Sequence, residues 1–382
     1  MNKFTTPLGE FKLNRYPEAK DRQLRAWDAA DEYILSHLET LRQQESLTLT
    51  DSSRLLILND AFGALSIALS DFMPCSYTDS YLSEQAINKN IKINAVNPQN
   101  INLQNNFECL SGIYNLVIIK IPKNLAMLEE ELHQIREHCD EKTIIIGAAM
   151  SKHIHTSTLK LFERITGTTT TSLAHKKARL VFSQLDSSLQ PGKSPYPSQY
   201  TLDITEEKYS NHANVFSREK LDIGSRFLLQ YLPQEKNYSH ILDLACGNGV
   251  LGIAIAKLNP MAKISFVDES YMAVESAKIN AKNLLADDSH CEFKVTDCLQ
   301  GIEDDSLDLI LNNPPFHQNH VIGDFIAWQM FNEAKQKLKS GGEIIIVGNR
   351  HLGYHIKLKK LFGRCEMIAS NEKFVILKAI KQ

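Results

Sequence analysis

Two doubly wound, mostly parallel α/β sheets in tandem are what this sequence predicts. Three observations lead there. Short β-branched runs alternate with helical stretches along the whole chain, as parallel sheets require. The 382 residues are long for one core, which favours two domains. The two halves also echo each other, in order.

In the first half, "LLILNDAFGALSIALS" (55–70) lines up without a gap on "ILDLACGNGVLGIAIA" (241–256). "TIIIGAAMSKHIHTSTLKLFER" (143–164) lines up equally directly on "EIIIVGNRHLGYHIKLKKLFGR" (343–364). Each match carries its own strand-to-helix pattern, so duplication is the expected origin. Between the halves, "QLDSSLQPGKSPYPSQ" (184–199) is rich in Ser, Pro and Gly and reads as a linker. The predicted organisation is a first domain over 1–185, a linker over 186–199 and a second domain over 200–382.

In the second half the runs predict strands near Ile241–Leu244, Ile264–Val267, Cys291–Val295, Leu307–Leu311, Glu343–Val347 and Lys373–Lys378. Helices such as "SYMAVESAKINAKNLL" and "FIAWQMFNEAKQKLKS" lie between them. The close spacing of the last runs predicts an antiparallel strand at one edge. The halves differ where chemistry would sit. Asp243 is matched by Ile57, Gly247 by Ala61, and Asn313-Pro-Pro-Phe316 by Lys120-Ile-Pro-Lys123. The first half keeps the scaffold letters and loses the polar ones, as a degenerate structural or binding copy would.

Composition bounds the function. Apolar residues make up 43% and charged residues 23%, ordinary for a soluble globular chain. Lys and Arg number 42 against 45 Asp and Glu, a formal charge of −3. That argues against non-specific coating of nucleic acid but leaves room for a local basic patch. The 7 cysteines are scattered and form no C-x-x-C pair, so neither a disulfide framework nor a zinc or other metal site is expected. With no signal peptide or membrane span legible, the expected location is the cytoplasm.

"DLACGNGVLG" follows a strand and opens a helix. Gly247 and Gly249 let the backbone turn and approach a ligand, and the helix start offers free N–H groups. Gly247-Asn-Gly-Val-Leu-Gly252 also reads as G-x-G-x-x-G, with Asp268 about twenty residues on, the pattern of a dinucleotide site. Asp243, just before the loop, tilts the reading. A carboxylate there repels a pyrophosphate but suits an ammonium. S-adenosylmethionine (AdoMet) carries an ammonium, a sulfonium and a ribose, and no phosphate. Asp268 would accept from the ribose hydroxyls, and Asp297 in "VTDCL" from the adenine amino group. The plain alternative for each aspartate is a solvated strand end or helix cap.

"NNPPFHQ" ends the fourth strand of the half. Proline lacks a backbone donor and fixes φ, so Pro314 and Pro315 stiffen the turn and leave carbonyls unpaired. An NH2 conjugated to a ring is a poor nucleophile. The Asn313 side-chain oxygen and the Pro314 carbonyl could accept its hydrogens, favour a pyramidal nitrogen and aim it at a methyl group. Phe316 offers a face on which a flipped base stacks. The alternative is a strand-ending loop with two incidental prolines.

"DLACGNG", "VDES", "VTD" and "NPPF", in this order, resemble class I AdoMet-dependent methyltransferases of amino groups. The duplicated chain is similar to the ribosomal RNA guanine-N2 methyltransferases, in which a degenerate methyltransferase domain precedes an active one. "QLRAWDAADEYIL" (23–35), "VFSREKLDIGSRFLL" (215–229), "NPPFHQNHVIGDFIAWQMF" (313–331) and "GNRHLGYHIKLKKLFG" (348–363) resemble the branch that modifies large-subunit RNA. The resemblance implies two Rossmann-like domains and methyl transfer from AdoMet to the exocyclic N2 of one guanosine in large-subunit (23S) ribosomal RNA. It implies Asp243, Gly247, Gly249, Asp268 and Asp297 as AdoMet-binding residues, and Asn313, Pro314 and Phe316 as catalytic, with Pro315 and His317 beside the base. Guanine rather than adenine rests on the resemblance alone.

RNA needs phosphate contacts. Arg350, Lys357, Lys359, Lys360, Arg364 and Lys373 form one candidate patch, and His175, Lys176, Lys177 and Arg179, with Lys193, another. An ordinary solvated helix face is the plain alternative. The inactive half is expected to bind RNA; no obligate protein partner is evident. Competing readings are a small-subunit RNA enzyme, a protein-glutamine methyltransferase, a nicotinamide dehydrogenase and a non-catalytic assembly factor.

Overall fold

Runs that are apolar at every position, such as Leu55–Leu58, must be buried on both faces, because successive side chains of a strand point to opposite sides. Helices on both faces of a sheet supply that cover. A computed structural model describes residues 2–18, 24–50, 52–234, 238–315 and 320–382. The chain divides into two units, Met1–Pro195 and Tyr196–Gln382.

The first unit opens with a hairpin, β1 (Asn2–Thr6) and β2 (Gly9–Leu13), then α1 (Ala29–Gln43). There follow β3 (Leu55–Leu58), α2 (Ala64–Ala68), β4 (Cys75–Tyr77), α3 (Tyr81–Ile93), β5 (Asn102–Gln104) and β6 (Leu116–Lys120). It closes with α4 (Leu125–Arg136), β7 (Ile144–Met150), α5 (Thr156–Ile165), β8 (Thr169–Thr171) and β9 (Ala178–Ser183). The second unit repeats the plan. A hairpin, β10 (Ser198–Leu202) and β11 (Glu207–Asn211), precedes α6 (Ile223–Leu229) and β12 (His240–Leu244). Then come α7 (Val250–Leu258), β13 (Lys263–Asp268), α8 (Tyr271–Leu284), β14 (Cys291–Val295), β15 (Leu307–Asn312) and α9 (His320–Lys337). The last elements are β16 (Leu338–Asn349), α10 (Tyr354–Phe362), β17 (Glu366–Ser370) and β18 (Phe374–Ile380).

The sheets run β5-β4-β3-β6-β7-β9-β8 and β14-β13-β12-β15-β16-β18-β17. β9 and β18 are antiparallel to both neighbours. The predicted antiparallel strand is therefore one place in from the edge, and β17, half-exposed and short, takes the edge itself. That strand carries too little apolar signal to be read from sequence. Strand order reverses between β12 and β15, the position at which open α/β sheets bind ligands.

Each sheet is covered on two faces. In the second unit Ile241, Leu309, Leu311 and Ile345 meet Leu228 of α6, Val250 of α7 and Ala277 of α8. Leu242, Ile310, Ile344 and Ile346 meet Phe331 of α9 and Leu358 of α10.

The loop after the first sheet strand keeps its shape in both copies. Asn59 and Ala245 have φ of +64° and +58°, and Gly63 and Gly249 have +82° and +81°. The second match differs by one residue. Leu116 pairs with Ile144 and Leu309 with Glu343, so Ile144 rather than Thr143 is the counterpart of Glu343. A one-residue step exchanges the faces of a strand. Accordingly Ile146, not Ile145, lies on the face that corresponds to Ile345. The gap-free match holds again in the following helices, where Phe162 and Phe362 are both buried.

Candidate active site

The carboxyl ends of β12 to β15 bring the predicted aspartates to one edge of the second sheet. Asp243 is fully buried; its Oδ2 accepts the Gly252 N–H at 2.8 Å, at the start of α7. Its Oδ1 has no hydrogen-bond partner among the described residues. Burial, reinforced by the charge of Asp268, pushes the Asp243 carboxyl up to about 8. Asp268 also lies above the ordinary carboxylate range, because of burial. Its Oδ2 accepts from Gly247 N–H at 3.0 Å and its Oδ1 from Ser270 N–H at 3.1 Å. A carboxylate has about four acceptor sites, so Asp268 retains capacity for further donors. Asp297 is buried and accepts from the Gln329 side chain at 3.2 Å, and Gln329 also donates to Glu333 at 2.9 Å. Neither α9 residue carries a sequence signal that could have found it.

The glycines divide by role. A Cβ on Gly247, at φ +55°, would meet nothing within 4 Å, so this residue borders open space. A Cβ on Gly249 would lie 3.0 Å from Ala277, and one on Gly252 would lie 2.3 Å from Phe266. Gly249 and Gly252 serve the packing of α7, whereas Gly247 leaves room beside the backbone. Asn280 on α8 steadies the loop, donating to the Asn248 carbonyl at 3.0 Å. Asn90 on α3 does the same for Phe62 at 2.9 Å in the first unit.

The two asparagines at the end of β15 do different work. Asn312 is buried, and its amide donates to the Leu244 carbonyl at 2.8 Å, tying the strand to β12. Ladder pairing on both sides of β15 ends there. Asn313 follows, its Nδ2 donating to Asp222 Oδ2 at 3.0 Å and to Ser225 Oγ at 2.9 Å. Asn313 Oδ1 is buried and has no partner among the described residues. Pro314 is buried and Pro315 exposed. Phe316 and His317 lie outside the described residues. Asp222, the N-cap of α6, and Ser225 were not expected from sequence; the signal available was the D-x-x-S cap pattern before an apolar run.

The basic patch is spread out. Arg350 directly follows β16, at the same sheet edge as Asn312. Lys357, Lys359 and Lys360 lie on α10, which runs about 12 Å away from its start, with Arg364 beyond its end. Lys357 rests over the Tyr354 ring and Lys360 over the Trp328 ring, at 5.4 and 5.5 Å. Tyr354 and Phe362 belong to the core. In the first unit, His175 and Lys176 border a cleft of about 400 Å³ with Lys3, Arg25 and Trp27. Glu32 sits there too and pairs with Lys176 at 2.9 Å.

AdoMet needs an acceptor for its ammonium, a carboxylate for its ribose and a backbone without a Cβ alongside. Asp268, Gly247 and the idle Asp243 oxygen, which an ammonium alongside would draw into its charged, accepting form, meet those needs. Among the described residues no cluster of metal-ligating side chains occurs. Fold and site together define a class I AdoMet-dependent methyltransferase. Residues 1–187 match the family described as the RLMG N-terminal domain, and residues 206–378 match the methyltransferase small domain. The chain is 48% identical, over 97% of its length and 96% of the relative's, to ribosomal RNA large subunit methyltransferase G of Klebsiella pneumoniae. It is 43% identical to the protein of that name from Streptomyces avermitilis, over 99% of both chains. A solved T. thermophilus 16S rRNA N2 methyltransferase (RsmC), bound to AdoMet and guanosine, shares the fold. Its TM-score is 0.76 at 20% identity, over 100% of this chain and 98% of that one. The chain belongs to the ribosomal RNA large subunit methyltransferase G family.

Proposed function

We propose that this chain transfers a methyl group from AdoMet to the exocyclic N2 of a guanosine in large-subunit ribosomal RNA. Family membership supports the reaction and the RNA. The observation that carries the chemistry is Asn313 Oδ1, a buried acceptor with no partner among the described residues, just past the end of β15. An unmet buried acceptor costs free energy and persists where function requires it. The target NH2 is its natural donor.

AdoMet supplies an electrophilic methyl carbon on a positively charged sulfur. Asp243, Asp268 and Asp297, with the bare backbone at Gly247, would hold it. Asn313 Oδ1 and the Pro314 carbonyl would accept the two N–H bonds of the guanine amino group. Both acceptors draw the nitrogen out of conjugation and stabilise the positive charge that develops on it. No strong base is needed, because the methylated nitrogen loses its extra proton readily to water. Pro315, Phe316 and His317 would flank the flipped base. Arg350 stands closest in sequence to the reaction edge among the candidate phosphate contacts. The cations of α10 and the cleft of the first unit would bind RNA further away.

The test is transfer from labelled AdoMet to protein-free large-subunit RNA taken from cells that lack the gene, followed by nucleoside analysis. N2-methylguanosine formed there, and absent with RNA from wild-type cells, supports the reading. Label in neither that RNA nor assembling large subunits overturns it.

A further inference from the structure

We propose that Asp222 and Ser225 are positioning residues that set which end of the Asn313 amide meets the target nitrogen. The proposal rests on the methyl-transfer reading above. An asparagine amide can sit in either of two orientations related by a flip, and only one presents the oxygen. Here both hydrogens of the amide are engaged, one by the Asp222 carboxylate at 3.0 Å and one by the Ser225 hydroxyl at 2.9 Å. In the flipped orientation Oδ1 would face the carboxylate, which has no hydrogen to give, and Nδ2 would confront the incoming NH2. Donor would meet donor at the reacting centre. A carboxylate on one side of the amide therefore selects the productive orientation.

Three further features agree. Asp222 is itself held, since its Oδ2 accepts the Ser225 N–H at 2.9 Å as the cap of α6. The turn is bare where the oxygen emerges. A Cβ on Gly224 would sit 2.9 Å from Asp222 Oδ2 and 3.5 Å from Asn313 Oδ1. Most tellingly, the first unit repeats the grip. Asp28, the N-cap of α1, and Asp31, three residues on, both contact Lys120, which stands one residue past the sheet position of Asn312. The clamp belongs to the fold, and the residue it holds decides whether an acceptor is left over. In the second unit it leaves one.

A merely structural role is the competing account, because Asp222 caps a helix. Asp222→Ser separates the two roles. Serine caps about as well as aspartate, but its hydroxyl is one bond shorter and cannot hold the amide in the same way. Wild type, Asp222→Ser, Ser225→Ala, Asn313→Ala and the Asp222→Ser/Asn313→Ala double variant would be compared in single-turnover transfer to protein-free large-subunit RNA. AdoMet affinity and melting temperature would be measured alongside. Asp222→Ser is expected to melt with wild type, bind AdoMet within about twofold and lose roughly 30- to 100-fold in rate. Ser225→Ala should lose about 10-fold, and Asp222→Ser should add less than about twofold in the Asn313→Ala background. Wild-type rate in Asp222→Ser overturns the proposal, as does an equal loss with or without Asn313. Failure of wild type to label any RNA strikes the methyl-transfer reading instead, before the variants are compared.

Discussion

One sheet position, built twice, separates the two units. After β15 an asparagine is held by the N-cap and N3 residues of α6, Asp222 and Ser225, and keeps an unused oxygen. At the end of β6 a lysine is held by the N-cap and N3 residues of α1, at 2.9 Å from Asp28 and 2.6 Å from Asp31. An ammonium has donors only, and here two carboxylates absorb them. The glycine loops diverge in the same way. Asp243 reaches from the strand to Gly252 N–H, whereas in the first unit Asp60, from the loop itself, accepts from Leu65, Ser66 and the Ser66 hydroxyl. At these two places the first copy meets its polar groups internally, through Asp28, Asp31 and Ser66. At the same two places the second leaves an oxygen of Asp243 and one of Asn313 without a partner among the described residues.

Breaking the contrast at its centre should give the largest effect. Asn313→Ala should lower the transfer rate by about 100-fold or more while AdoMet affinity stays within about twofold. A loss confined to AdoMet binding would show that Asn313 serves the wrong partner. Lys120→Ala should do the reverse, leaving transfer intact but destabilising the fold by roughly 3 kcal/mol, because buried Asp31 loses its counter-charge. Chemical denaturation with an unchanged midpoint would contradict that.

Packing sharpens the comparison next. Gly252→Ala forces a methyl against Phe266 and should cost about 1–3 kcal/mol, whereas Ser66, at the matching place in the first unit, already carries a Cβ. Equal melting temperatures for Gly252→Ala and wild type would refute the tight fit. Acid–base behaviour should differ more gently. Burial holds Glu131 in the first unit and Asp243 in the second up at about 8. The folded form keeps a proton that the unfolded chain sheds from about pH 4, so each group's stabilisation fades as pH rises towards 8 and is constant above. Glu131→Gln and Asp243→Asn should each flatten the fall in melting temperature between about pH 5 and pH 8.5; a steeper fall in either would reverse the sign. Smallest of all, charge reversal at Lys3 and Lys176 should weaken RNA binding several-fold and lower its salt dependence, without changing the rate at saturating RNA. Unaltered binding would leave the first unit without a role at that cleft.

Much of this was legible in the residues. Uninterrupted apolar runs, the glycine loop and the strand-end aspartates can be read because each is local, and local pattern dictates local structure. Asn313 was legible for the same reason, since two prolines flag the end of its strand. Asn312 was not assigned; whether an asparagine ties strands together or faces a ligand depends on what lies across the sheet. Gly249 and Gly252 look identical to Gly247 in sequence, yet they answer to Ala277 and Phe266 on neighbouring elements. The gap-free match of the late strands misled by one residue, because β-branched runs align equally well in either register.

The sequence by itself determined two β/α sheets, the edge at which ligands gather and the family to which the chain belongs. Tertiary structure alone decided the hydrogen-bonding state of the Asn313 amide. Asp222 and Ser225 stand 91 and 88 residues before Asn313, and only the return of β15 beside β16, against which α6 packs, brings them to its amide. Hydrogen bonds between such distant positions leave no periodicity in a chain. They exist only once the sheet has closed around them.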